Sequence, residues 1–367
     1  KNNGPYQSLS WRETAQRVRN MAKGLSELGV AAGDRIVIAS ENRPEWVIAD
    51  LAIMTLGAIS VPAYTTNTVR DHRHILSDCG AKGAIVSTRA LAARLLPAAA
   101  EVAATEFIIT MEATAAGAFD IALYEWSAVM ATGETSTHDL EPALQAQTRG
   151  DTACLIYTSG TGGNPKGVML SHAAVMSNCM GARELLRQLG LGDEVFLSFL
   201  PLSHAYEHTA GLYFPISIKA QIYFAESVET LSANLVEVRP TIMVSVPRLY
   251  EVMHRRITLG LKRQSKIKQH LFAKAVALGR KHYENPGSLG LVQGALNRVL
   301  EGVVRDKVRA RFGGRLKAMV SGGAPLNFEV GVFFTALGVR LLQGYGQTEA
   351  APVISCNPPN LVKLHTV

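Results

Sequence analysis

Two periods of hydrophobic and polar positions take turns along this chain. Ser10-Trp11-Arg12-Glu13 has the spacing of a helix capping box, and Val18, Met21, Leu25 and Leu28 continue at helical period until Gly29 stops it. Arg35 to Ala39 reads as a buried strand. A helix near Pro44 to Leu56, a strand at Ala58 to Val61, a helix from Arg70, a strand at Ala84 to Ser87, an alanine-rich helix and a strand at Phe107 to Thr110 follow. Residues 114–150 are rich in Thr, Gly and small side chains with weak periodicity, and are expected to connect one βα series to the next. Beyond them come strands at Ala153 to Thr158, Val195 to Phe199, Gln221 to Phe224, Thr241 to Val244, Lys317 to Val320 and Arg340 to Leu342, with a helix from about His172. Strands and helices in alternation predict an α/β protein of mostly parallel, helix-covered sheets.

Composition narrows this picture. With 367 residues and 47% apolar content, the chain can bury a core large enough for two packed subdomains. The longest apolar stretch, Leu51 to Ala63, is too short to span a bilayer. The chain opens on Lys1 with a polar run, so any targeting segment is expected to lie outside it. Cys79, Cys154, Cys179 and Cys356 lie far apart without metal-type spacing, which fits reduced thiols and a cytoplasmic location. The formal charge of +7 is concentrated: Val252 to Tyr283 holds nine Lys/Arg and no Asp or Glu, and the remainder is slightly acidic. A fold-wide nucleic-acid footprint is therefore excluded. In the basic stretch Ile257, Leu261, Leu271, Ala275 and Leu278 fall mostly on one helical face, while Lys262, Arg263, Lys266, Lys268 and Lys274 occupy the rest. That pattern suits an anionic lipid surface, and equally a solvated helix packed on the domain.

Four segments carry candidate chemistry. The first runs Tyr157-Thr158-Ser159-Gly160-Thr161-Gly162-Gly163-Asn164-Pro165-Lys166-Gly167 directly after an apolar strand. Its glycines let backbone N–H groups approach an anion, its hydroxyls donate further hydrogen bonds, and Lys166 adds a point charge, a set that suits a polyphosphate. A flexible turn would share the composition. A Walker loop would end in Gly-Lys-[Ser/Thr], whereas Lys166 stands between Pro165 and Gly167. The second, Ser321-Gly322-Gly323-Ala324-Pro325-Leu326, joins a strand to a helix with side chains small enough for a flat ring to lie on the backbone. In the third, Gln343-Gly344-Tyr345-Gly346-Gln347-Thr348-Glu349, an aromatic face sits between glycines, and a hydroxyl and a carboxylate follow for a phosphate and its metal. Solvated helix-start residues would explain the Thr-Glu pair as well. The fourth, Phe199-Leu200-Pro201-Leu202-Ser203-His204-Ala205-Tyr206-Glu207-His208, sets histidines among apolar residues, as satisfied core histidines also are.

In this order the segments resemble the signatures of the acyl-adenylate-forming superfamily, which includes acyl-CoA synthetases, luciferases and peptide-synthetase adenylation domains. The family loop reads Thr-Ser-Gly-Thr-Thr-Gly-x-Pro-Lys-Gly, and this chain departs once, with Gly162 in place of a hydroxyl residue. The resemblance covers nearly the whole chain. It implies an ATP/AMP site of Thr158, Ser159, Gly160, Thr161, Gly162, Gly163 and Lys166, with Gly323, Ala324 and Pro325 lining adenine and Tyr345, between Gly344 and Gly346, stacking on it. It further implies Thr348 at the α-phosphate, Glu349 with Thr161 at Mg²⁺, and His204 near the acyl carboxylate, with Val246 and Gly322 in the acyl pocket. Lys166, Thr348, Glu349 and His204 form the implied catalytic set.

The insertion at 252–312 resembles that of long-chain fatty acyl-CoA synthetases. The expected reaction is therefore activation of a fatty acid by ATP to acyl-AMP and pyrophosphate, then thioester formation with coenzyme A. Two alternatives stand beside it: a fatty acyl-AMP ligase that serves a carrier protein, and a non-catalytic nucleotide-binding homologue. The expected architecture is the large domain of an adenylate-forming enzyme, two helix-covered sheets divided as 1–65 with 205–350 and 70–200, lacking the small C-terminal domain. On that expectation this stretch binds ATP but adenylates poorly alone. The expected partners are fatty acid, ATP and CoA, a membrane met peripherally through 255–281, and a second copy of the chain.

Overall fold

The computed structural model describes residues 4–115, 117, 119–158 and 163–367. The chain forms two compact units: unit 1 is residues 1–176 with 201–205, and unit 2 is residues 177–200 with 206–367.

Unit 1 contains helices α1 (Trp11–Glu27), α2 (Pro44–Thr55), α3 (Val69–Asp78), α4 (Arg89–Ala100), α5 (Trp126–Thr135) and α6 (Glu141–Ala146). Its seven strands are β1 (Arg35–Ala39), β2 (Ile59–Ala63), β3 (Gly83–Val86), β4 (Phe107–Thr110), β5 (Ala122–Glu125), β6 (Thr152–Thr158) and β7 (Lys166–Ser171), ordered β5-β4-β3-β1-β2-β6-β7. All neighbours are parallel except β6 and β7, which form an antiparallel hairpin. β3 and β4 are buried along their whole length, as parallel strands covered on both faces must be. The capping boxes are real: Ser10 and Glu13 exchange bonds of 2.7 and 3.1 Å at the start of α1, and Thr68 and Asp71 do the same for α3.

Unit 2 takes most of α7 (His172–Leu186), then α8 (Phe214–Ser217), α9 (Leu231–Val238), α10 (Pro247–Lys262), α11 (Lys266–Glu284), α12 (Leu291–Leu300), α13 (Asp306–Arg311) and α14 (Phe328–Ala336). Its six strands are β8 (Val195–Ser198), β9 (Gln221–Phe224), β10 (Ile242–Ser245), β11 (Ala318–Ser321), β12 (Leu341–Gly346) and β13 (Val353–Cys356), ordered β13-β12-β11-β10-β8-β9 and parallel except for β12 with β13. Two π-helical turns, Glu207–Tyr213 and Glu301–Arg305, interrupt the helical register.

The α/β class and most strands fall where the hydrophobic pattern places them; the antiparallel strands β7 and β13 have no counterpart in that pattern, and three further features differ. Residues 114–150 are more than a connection, because β5 extends the first sheet and α5 lies hard against α1: a Cβ at Gly133 would meet the Asn20 carbonyl oxygen. Small residues that allow this approach also erase the apolar stripe by which a helix is read. The strands divide differently from the expected 1–65 with 205–350, since β1 and β2 pair with β3 and β6 in a single sheet. Backbone pairing across more than eighty residues, not sequence proximity, sets that grouping. The basic stretch is two helices, broken at 263–265 where Ser265 caps α11, with Ala275 and Leu278 buried and Ile257, Leu261 and Leu271 half-buried.

The helices of 252–312 are pinned by Arg305. Its buried guanidinium donates to the carbonyls of Ala275 on α11 at 3.0 Å, Asn297 on α12 at 3.1 Å and Ala336 on α14 at 2.7 Å. Glu301 balances its charge at 3.1 Å.

Candidate active site

In unit 2 the carboxyl ends of β10, β11 and β12 stand side by side, with Ser245, Ser321 and Gln343 in register. The residues that follow form a row along this edge, where parallel α/β sheets collect ligands. Val246 leads into α10, Gly322 and Gly323 open the turn to α14, and Gly344 to Gly346 finish β12. The second and third segments and Val246 are thus brought together.

Three of the four glycines in the row have a physical cause. A Cβ at Gly322 would strike the Tyr206 ring at 2.8 Å, and that ring is held by its hydroxyl donating to the Val320 carbonyl at 3.0 Å. Gly323 has φ +79°, and Val246 lies 3.6 Å from where its Cβ would be. A Cβ at Gly346 would fall on the Pro352 carbonyl, so only glycine permits the return into β13. Gly323, Ala324, Pro325 and the Tyr345 ring are exposed, as surfaces that receive a flat ring must be.

Thr348 and Glu349 lie on a short 3₁₀ turn ending at Ala350. Sequence reasoning missed what fixes it: Asn178 of α7 donates to the Ala350 carbonyl and accepts from the Val353 N–H, both at 2.8 Å. No local pattern marks an asparagine in mid-helix as a clamp on a turn more than 170 residues away. Among the described residues the Glu349 carboxylate has no hydrogen-bond or ion-pair partner, and no group of three His, Cys, Asp or Glu side chains could enclose a metal. That suits Mg²⁺, which keeps several waters and binds through one or two carboxylates and its substrate's phosphates. Glu349 fits as such a ligand; Thr161, expected beside it, lies outside the described residues.

In unit 1 the described ends of the first segment, up to Thr158 and from Lys166, belong to the antiparallel strands β6 and β7. Thr158 pairs with Lys166 and Tyr157 with Gly167, so Lys166 opens β7 with its side chain exposed. Ser159, Gly160, Thr161 and Gly162 lie outside the described residues, and Gly163 has φ +136°. His204, also of unit 1, is an exposed residue whose ring has enough protein around it to push its pKa below the usual 6.5. Near neutral pH it is therefore uncharged.

The fourth segment continues into the π-helical turn of unit 2, where Glu207 is buried. One carboxyl oxygen is without a partner, while the group accepts from the Ser198 hydroxyl and the Phe199 N–H. Burial, only partly offset by those two donors, raises its pKa to about 8, so it is a neutral acid at pH 7. His208 is buried, its ring tilted by 31° against Tyr213 with centroids 4.5 Å apart.

The profile of the AMP-binding enzyme family matches residues 2–367. The chain belongs to the AMP-binding enzyme family. Its relatives include the long-chain-fatty-acid–CoA ligase FadD15 of Mycobacterium tuberculosis, 32% identical over 99% of this chain and 60% of that protein. Long chain acyl-CoA synthetase 6, peroxisomal, of Arabidopsis thaliana is 28% identical over 96% of this chain and 49% of its own length. This member of the family thus spans about half to three-fifths of the length of those relatives. Among solved structures, a long-chain-fatty-acid-CoA ligase of Archaeoglobus fulgidus superposes with a TM-score of 0.70 at 19% identity, covering 99% of this chain and 61% of that one. A benzoate CoA ligase of Burkholderia xenovorans gives 0.68 at 24%, covering 98% and 60%. At these identities the likeness shows the fold, two helix-covered, mostly parallel sheets.

Proposed function

We propose that the protein activates a fatty acid with ATP, forming acyl-AMP and pyrophosphate, and that the full-length enzyme passes the acyl group to coenzyme A. The observation that carries this reading is the row of Val246, Gly322 to Pro325 and Gly344 to Glu349 along one sheet edge of an AMP-binding enzyme. The long-chain preference rests on the likeness to long-chain-fatty-acid–CoA ligases and on the helical insertion at 252–312.

A fatty carboxylate is already ionised near neutral pH, so it needs no general base. One of its oxygens attacks the α-phosphorus; the bond from that phosphorus to the bridging oxygen breaks, and pyrophosphate leaves with the electron pair. Charge grows on the transferring and leaving phosphates. Lys166 would neutralise it from the hairpin, and Thr348 would donate to the α-phosphate. Tyr345 and Gly323 to Pro325 would hold the adenine. Uncharged His204 would donate to the acyl carboxylate without adding a competing cation. Bound Mg²⁺, held through Glu349, would supply charge neutralisation across the phosphates.

The test is fatty-acid-dependent exchange of labelled pyrophosphate into ATP by the full-length protein, with acids of graded length and then with CoA. Exchange that ignores added acid would overturn the reading. Exchange without thioester formation on free CoA would assign the acyl group to a carrier protein instead.

Four free thiols fit a cytoplasmic setting. No helix among the described residues is long and apolar enough to cross a membrane. Peripheral attachment through 255–281 is supported by exposed Arg255, Arg256, Lys262, Lys266, Lys268 and Lys274 beside exposed Leu259 and Ile267. Liposome co-sedimentation indifferent to anionic lipid would remove it, and sedimentation velocity on the same sample tests the expected homodimer.

A further inference from the structure

We propose that His74, with the Tyr157–Asp78 pair, latches the base of the phosphate loop to α3, which makes His74 a positioning residue for the nucleotide. The nucleotide part rests on the function proposed above; the latch itself rests on unit 1 alone.

Pro165 has no N–H, so its carbonyl is its one backbone group able to hydrogen bond. That oxygen receives a bond of 2.7 Å from His74 Nε2. A carbonyl only accepts, so Nε2 carries the proton, and the next residue along the chain is Lys166. On the opposite strand, Tyr157 donates its hydroxyl to Asp78 at 2.6 Å. The Tyr157 ring meets His74 edge-on, with centroids 6.1 Å apart and planes at 84°. His74 and Asp78 are four apart on α3 and therefore share a face.

Both strands that flank the loop are thus tied to one helix face. The tie is close: across the ladder from Tyr157, a Cβ at Gly167 would lie 3.1 Å from the phenol ring. Thr158 on one side and the Pro165 carbonyl on the other fix the direction of the backbone at Lys166. The long Lys166 side chain keeps its freedom while its origin does not move. For a point charge that must meet a phosphate, an origin displaced by an ångström costs binding directed at ATP and leaves the acid untouched.

Two substitutions in the full-length protein separate donor from packing. His74→Phe keeps a ring against Tyr157 and removes the donor, whereas His74→Gln keeps a donor and removes the ring. In acid-dependent pyrophosphate exchange, H74F is expected to raise the KM for ATP about five- to tenfold, the worth of one hydrogen bond, with the KM for fatty acid unchanged. H74Q is expected to restore it to within about twofold. An H74F enzyme with the wild-type KM for ATP, or with both KM values raised equally, overturns the latch. Hydrogen exchange at the β7 amides that bond to β6 decides the matter without activity. If wild type shows no acid-dependent exchange the proposed function fails, and the latch still stands or falls on whether those amides open faster in H74F than in H74Q.

Discussion

Replacing Glu207 with glutamine tests the electrostatics of unit 2. The folded carboxyl, 1% exposed, keeps its proton up to about pH 8, while an unfolded one releases it near 4.5. Between those values the folded state binds more protons than the unfolded state, so stability falls as pH rises, by about 1.4 kcal/mol per unit. The contribution is intact below pH 4.5; about 3 kcal/mol is lost by pH 7, and the loss levels off above pH 8. Glutamine has nearly the same shape, can accept from Ser198 and Phe199 as the acid does, and does not titrate. Its advantage over wild type should therefore grow from pH 6 to pH 8. Urea denaturation read by thiol labelling isolates the unit, because Cys179 and Cys356 lie in unit 2 and Cys79 and Cys154 in unit 1. Comparing the two proteins at each pH cancels the chemistry of the thiols. A difference at Cys179 and Cys356 that is constant from pH 6 to pH 8 would refute a neutral buried acid.

Other outcomes follow from the same structure. His72 is fully buried in α3, and burial first, then the Arg94 charge, push its pKa down to about 4. Its contribution to unit 1 is present above pH 6.5 and lost as pH falls toward 4, about 3 kcal/mol in all; Trp46 fluorescence in denaturant should show His72→Leu abolishing that acid sensitivity. Asn178→Ala removes one bond to the Thr348–Ala350 turn and one to Val353 just beyond it, and should cost about 2 kcal/mol of stability and about tenfold in exchange rate at saturating ATP; an unchanged rate would show that the turn holds itself. Arg305→Met leaves the buried carbonyls of Ala275 and Ala336 and the partly buried one of Asn297 without their donor, while Glu301 keeps Arg309, and should destabilise unit 2 by about 3 kcal/mol in urea, with α11 and α12 exchanging first.

The sequence by itself determined most of the secondary structure and the chemistry on offer. Ser10 and Glu13 cap α1 through bonds three residues apart, and the apolar runs at 35–39 and 107–110 can be satisfied only as buried strands; these causes are local, so a linear reading finds them. The glycine-bearing segments were legible for the same reason, as backbone that can approach a ligand needs glycine wherever it sits. Tertiary structure alone decided that β1 and β2 join β3 and β6, that Gly322 is glycine because of Tyr206, and that Asn178 and His74 hold turns distant in sequence. It also decided that Glu207 is a neutral acid, since a proton affinity is set by the water and donors left around a group once the chain has closed over it. Short-range hydrogen bonds and hydrophobic period are written along the chain, whereas desolvation and long-range clamps exist only after it folds.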